Sequence, residues 1–135
     1  MPFQYNTNKD LHPANVLALY SDAGWTNYTK YMPKLMRGIA NSLDVLSAWD
    51  DEKLVGLIRT IGDQETIIYI QDILVLKDYK RQGVGRQLMK HIFDKNQDVR
   101  QIIQLTDSEP EQKNFYESMG MEDCHTSNLK AYRRV

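Results

Sequence analysis

The chain has 135 residues and a formal net charge of −1, from 17 basic and 18 acidic side chains. It is long enough for one domain and lacks the basic excess of a nucleic-acid binder. Hydrophobic residues at 41% and charged residues at 26% exclude a disordered tail, and no apolar run is long enough to span a bilayer.

The single cysteine, Cys124, excludes an intrachain disulfide, and the first six residues lack the basic flank and apolar core of a signal peptide. A reducing, cytoplasmic setting is therefore expected. Helical spacing of Val16, Leu17, Leu19 and Tyr20 predicts a helix over residues 13–23. A second is expected over 33–42, with Pro33 in its first turn and Leu35, Met36, Ile39 and Ala40 on its apolar face.

The texture then turns β-like. Residues 45–49 and 54–61 read as strands joined by the polar Asp50-Asp51-Glu52-Lys53. Gly62-Asp63-Gln64-Glu65 is a further turn, leading into an isoleucine-rich central strand over 66–76. After a glycine turn, Val84, Leu88, Met89, Ile92 and Phe93 mark one side of a helix over 84–95. A short strand is expected over 101–106. Ser108-Glu109-Pro110-Glu111 has a capping-box pattern for a helix that Gly120 ends. One or two closing strands are expected in 121–135. The order describes a single α+β domain over 1–135.

The strand–glycine turn–helix unit carries the strongest chemical signal. Amides at a helix start lack internal partners, and the helix dipole adds positive potential there. Such a terminus suits a pyrophosphate. Gly83 and Gly85 let a ligand approach the backbone, and Lys80, Arg81 and Arg86 add charge. A Walker motif does not fit, because Gly85 is followed by Arg86-Gln87; nor does a dinucleotide fingerprint, whose third glycine would fall on Leu88.

The stretch from Ile73 to Met89, centred on Arg81-Gln82-Gly83-Val84-Gly85-Arg86, resembles the coenzyme-A motif of the GNAT N-acetyltransferase family, with Lys80 at the position usually Gln or Arg. Asn114-Phe115-Tyr116-Glu117-Ser118-Met119-Gly120-Met121 resembles that family's second landmark, with Met121 for the usual phenylalanine. The Tyr69-Ile70-Gln71-Asp72-Ile73 strand is similar to that of short bacterial members, some similar to aromatic-amine acetyltransferases.

The resemblance implies a mixed, mostly antiparallel central sheet with splayed strands flanked by helices, and acetyl-CoA as cosubstrate. Ile73, Leu74 and Val75 would pair with the pantetheine through their main chain, Arg81, Gln82, Gly83, Val84, Gly85 and Arg86 would hold the pyrophosphate, and Asn114 would also contact the coenzyme. The implied reaction moves acetyl to a primary amine of a small molecule, an aromatic amine or a polyamine, by direct attack in a ternary complex. The alternatives are a non-catalytic acyl-CoA-binding module and a protein or peptide N-acetyltransferase. A homodimer is compatible with the family, whereas nucleic-acid and membrane partners are not expected.

Tyr116 stands at the family's position for the acid that protonates the leaving thiolate; its other reading is a ring packed beside Phe115 and Met119. A main-chain N–H near Leu74 or Val75 would face the thioester oxygen. Asp72, a carboxylate inside an apolar strand, is either the base, a substrate-binding anion or a paired structural acid. Asp107 is the second choice of base, in competition with helix capping. Trp25, Tyr28, Tyr31 and Trp49 are candidates for an acceptor wall or for plain core packing. His12, His91 and His125 show no metal spacing, so no metal is expected, and Cys124 reads as a small buried residue.

Overall fold

The computed structural model describes residues 2–135. They divide into two units, one reaching to Leu105 and the other spanning Thr106–Val135. The first unit holds a five-stranded sheet in the order β1-β2-β3-β4-β5. Its strands are β1 (Gln4–Asn6), β2 (Asp44–Asp50), β3 (Lys53–Gly62), β4 (Ile67–Val75) and β5 (Gln101–Ile103). The first four pair antiparallel, whereas β5 runs parallel to β4. A parallel neighbour needs a crossover, supplied by α4 (Val84–Lys95). Between β1 and β2 lie α1 (Pro13–Asp22), α2 (Thr26–Thr29) and α3 (Met32–Ala40).

The expected helix faces pack as their spacing requires. Val16, Leu19 and Tyr20 of α1, Leu35 and Ile39 of α3, and Val84, Leu88, Met89 and Ile92 of α4 are buried. On β3, Gly56 lies under Val84 and Leu88, whereas Arg59 reaches Gly38 of α3. Three residues apart on a strand means opposite faces, so α3 covers one face of the sheet and α4 the other.

The β3–β4 connection is fixed by one carboxylate. Asp63 Oδ1 accepts from the main-chain N–H groups of Glu65, Thr66 and Ile67 at 2.9, 2.8 and 3.1 Å. Thr66 Oγ1 donates to its Oδ2 at 2.6 Å. The Thr66 hydroxyl first, and then these N–H groups, hold the Asp63 carboxyl far below its ordinary range. Gly62 beside it has φ +157°, and a Cβ there would lie 2.3 Å from the Ile67 carbonyl oxygen.

From that turn the ladder pairs Gly62 with Ile68, Ile61 with Tyr69 and Thr60 with Ile70. Continued unbroken, it would set Arg59 opposite Gln71. Instead the register slips by one and Arg59 faces Asp72. Gln71 is thus the extra residue of a β-bulge, a device that re-aims neighbouring side chains.

The second unit contains α5 (Pro110–Ser118) and a 3-10 turn at Cys124–Ser127. Glu109 is the N-cap and makes no side-chain cap bond, so the expected Ser108 capping box does not form. Gly120, at φ +84°, follows the helix as expected. The expected closing strands are absent among the described residues of 121–135. Asp123 instead accepts from the His125 N–H at 2.9 Å and Leu129 N donates to Cys124 O at 3.0 Å, local bonds that compete with an extended ladder. Cys124 is exposed, not buried.

Candidate active site

β4 and β5 meet only at three pairs, Ile67 with Gln101, Ile68 with Ile102 and Tyr69 with Ile103. Beyond Tyr69, β4 runs on to Val75 with β3 on one side and, among the described residues, no strand on the other. Leu76 N donates to Val55 O at 2.9 Å, and main-chain bonding directions alternate along an antiparallel strand. Leu74, opposite Leu57, therefore turns its N–H and C=O toward β3. Ile73 and Val75 turn theirs toward the open side. Of the three expected coenzyme contacts on this strand, two thus present free-edge backbone. Leu74 instead buries its side chain, at 5% exposure.

Past the strand end, a 3-10 turn (Lys77–Tyr79) leads to the glycine turn. Arg81 (φ +65°) and Gly83 (φ +84°) both occupy the left-handed region. Gly83 is the N-cap of α4 and no side chain caps that terminus. Arg81, Gln82, Gly83 and Arg86 are exposed, and Gly85 is half-buried. Gln82 Nε2 donates to Asp78 O at 3.4 Å. Val84 is the exception, with its side chain buried at 1% exposure against the sheet. A Cβ built on Gly83 would meet no heavy atom within 4 Å. The turn is therefore open at Gly83, at the start of α4, where a diphosphate could approach.

On the α1 side of the sheet lies a buried polar cluster. Asp72 is 2% exposed and Arg59 5% exposed. Arg59 Nε pairs with Asp72 Oδ2, which also accepts from Tyr20 Oη at 2.9 Å. Asp72 Oδ1 accepts from Tyr28 Oη at 2.9 Å, and Gln71 Nε2 donates to that same hydroxyl at 2.9 Å. Arg59 Nη1 continues the network to Ser42 Oγ at 3.3 Å, whose hydroxyl donates to Gly38 O.

The charges shift one another. Burial, then the Asp72 carboxylate, pushes the Tyr20 phenol well above its usual value. Burial also raises the Tyr28 phenol, though less far, with Gln71 opposing and Asp72 reinforcing. Burial, the largest single influence, pulls Arg59 down, but the charge and hydrogen bond of Asp72, joined by Tyr20 and Tyr28, together leave the guanidinium above its ordinary value.

Of the four candidate wall residues, two gather here. Trp25 and Tyr28 stack edgewise or tilted with Tyr20 and with each other, at centroid separations of 5.4 to 6.0 Å. Tyr31 is 64% exposed. Trp49 lies on β2 and donates to Ser47 Oγ at 2.8 Å. Arg59, Tyr20 and Gln71 were not among the site residues expected from sequence. Arg59 had a signal, since it is the one cation in the apolar run of β3, as Asp72 is the one anion in β4.

In the second unit, Tyr116 is half-buried on α5 and meets Phe115 edge-on at 5.2 Å between ring centroids. Asn114, Glu117 and Asp107 are exposed. Among the described residues no group of His, Cys, Asp and Glu could hold a metal ion, and no helix is long and apolar enough to cross a membrane.

A sheet opened along the outer edge of β4, with a glycine turn and helix start at that strand's end, defines an acyl-CoA N-acyltransferase architecture. Residues 16–132 match the acetyltransferase (GNAT) domain family, and the chain belongs to it. It is similar to a GNAT family acetyltransferase from Streptococcus pneumoniae, with a TM-score of 0.89 and 30% identity, covering 99% of this chain and 98% of that one. The aminoglycoside N-acetyltransferase AAC(6')-Iy in complex with CoA shares the fold at a TM-score of 0.73 and 18% identity, over 98% of this chain and 95% of that one. The ycf52-like uncharacterized N-acetyltransferase of Prochlorococcus marinus is 23% identical over 124 residues, 87% of this chain and 67% of that protein. The protein is thus an acetyl-CoA-dependent N-acetyltransferase.

Proposed function

We propose that the protein acetylates a primary amine on a small molecule by direct attack in a ternary complex. The observation that carries this reading is the junction of a free β4 edge with an exposed glycine turn whose Gly83 faces open space. Ile73 and Val75 would bind the pantetheine as a neighbouring strand would. The N–H groups at residues 81–86, with Arg81 and Arg86, would hold the pyrophosphate, and Asn114 would add a contact from α5.

The coenzyme supplies the acetyl group as a thioester. An alkylamine with a pKa of about 10 is mostly protonated at neutral pH and must first give a proton to water. A main-chain N–H of Ile73 or Val75 would then face the oxygen that gains charge, the role that Leu74 surrenders by turning toward β3. As the new C–N bond replaces the C–S bond, Tyr116 would protonate the leaving sulfur, and the proton lost by the new amide nitrogen restores the phenol.

The test is calorimetry with acetyl-CoA, followed by a screen over aryl-alkylamines, polyamines, aminoglycosides and peptide N-termini. Saturable coenzyme binding with CoA release for at least one small amine is expected. Exclusive turnover of peptides, or coenzyme binding without turnover of any acceptor, refutes the reading. Tyr116→Phe should lower kcat by about 100-fold, the lower end of general-acid contributions, with coenzyme affinity kept.

A further inference from the structure

We propose that Tyr28 is a positioning residue for the acceptor amine: its hydroxyl clamps α2 to the β4 bulge, between Asp72 and Gln71. The proposal rests on the acetyl-transfer reading above. A single helical turn such as α2 is not stable by itself. It has no buried residue and no side-chain cap. Tyr28 fastens it to the sheet: its hydroxyl donates to Asp72 Oδ1 and accepts from Gln71 Nε2, both at 2.9 Å, and its ring lies 5.9 Å from the Arg59 guanidinium.

The direction of these bonds is determined. Gln71 Nε2 can only donate, so the phenol proton points to the carboxylate. A hydrogen bond to an ionised acceptor is the stronger kind. The bulge makes the double grip available. On a regular strand Gln71 and Asp72 would point to opposite faces, yet here both reach the same hydroxyl.

The clamp sits at a functional border. Gln71 and Asp72 follow Tyr69, the last β4 residue paired with β5. They precede Ile73 and Val75, whose backbone borders the opening. Tyr28 therefore ties the half-buried Trp25 and the exposed Tyr31, three residues away on either side, to the strand beside the cleft. Asp72 has Oδ1 engaged by Tyr28 and Oδ2 by Tyr20 and Arg59. Those bonds make it the anchor of the acceptor side, in place of a proton acceptor.

The test uses Tyr28→Phe in the full-length chain, which keeps the ring and removes only the clamping oxygen. With the best amine of the screen, KM for the amine should rise about tenfold, as expected for loss of a charge-assisted bond, while kcat stays within about twofold. Coenzyme affinity by calorimetry should be unchanged. Amide exchange at residues 26–30 should quicken while that of α4 does not. Gln71→Leu removes one jaw and should give a smaller change in the same direction.

Three results overturn the proposal: an unaltered amine KM in Tyr28→Phe, a fall in kcat alone, or a parallel loss of coenzyme affinity. If Tyr28→Phe does not fold, an unaltered KM and unaltered exchange in Gln71→Leu overturn it. Failure of the transferase reading shows separately, as wild-type protein that binds no acetyl-CoA or turns over no small amine. Even then, unchanged exchange at residues 26–30 in Tyr28→Phe refutes the clamp.

Discussion

Arg59 and Asp72 face each other across two central strands, where neither charge can reach water. Desolvating two ions is costly, and the pair persists because Tyr20, Tyr28 and Ser42 complete its hydrogen bonds. Removing one partner leaves the other charged and alone. Asp72→Ala should therefore destabilise the protein by about 3–5 kcal/mol, read as a lower urea midpoint. A wild-type midpoint in that variant would show that the pair carries no structural weight.

The phenols add a pH dependence whose sign follows from the raised values of Tyr20 and Tyr28. In the unfolded chain a tyrosine ionises near ~10, whereas in the fold both stay protonated beyond that. Their contribution is fully present below that pH and is lost as pH rises above it. Stability should fall on the alkaline side, and Tyr20→Phe should flatten the fall; denaturant midpoints across alkaline pH measure both. At this scale the sequence shows Asp72 as an anomaly in an apolar strand. Its partner is hidden, because the one-residue slip at Gln71 decides whether Arg59 meets an amide or a carboxylate.

Among the elements, α4 matters most because it carries the glycine turn. Gly56 lets it sit close to the sheet: a Cβ there would lie 2.8 Å from Val84 Cγ1 and 3.3 Å from the Leu74 carbonyl oxygen. Gly56→Ala must push back the first residue of α4. It should lower the melting temperature and weaken coenzyme binding together, by overpacking worth about 1–3 kcal/mol. Gly83→Ala separates the two effects. Open space surrounds that position, so the cost in stability is left-handed strain of about 1–2 kcal/mol, while the added methyl obstructs the approach to the turn. Affinity measured by calorimetry should fall more than stability does.

Elements defined by long periodic faces were legible in the sequence. The helix over 84–95 agrees to the residue, because five apolar positions and a flanking glycine turn mark it. β1 and α2 were not, since three or four residues are too few for a period and tertiary bonds fix them. The tail shows the opposite error: one or two closing strands were expected in 121–135, while Asp123 and Asn128 organise a turn there.

Across the whole molecule, order is graded. The strands β2 to β4 hold most of the buried side chains, whereas β1 and residues 122–135 are exposed throughout. Amide exchange should be slowest in β3, β4 and α4 and fastest in β1 and residues 128–135, because exposed segments open without disturbing the core. Uniform protection across the chain would contradict this grading. The family and the coenzyme were readable in advance because the glycine turn is a local signature. The acceptor was not, because no local motif marks it, and the contact proposed to position it joins Tyr28 and Asp72, 44 positions apart in the chain.

Because β4 stops sharing its outer edge after Tyr69, the sheet is built one member short. A molecule that lies along that edge takes the missing member's place, so occupancy and robustness to heat are linked. With acetyl-CoA at a hundred times its dissociation constant, binding confined to the folded state would add about 2.7 kcal/mol. The resistance of this enzyme to unfolding would then rise and fall with the supply of its own acetyl donor.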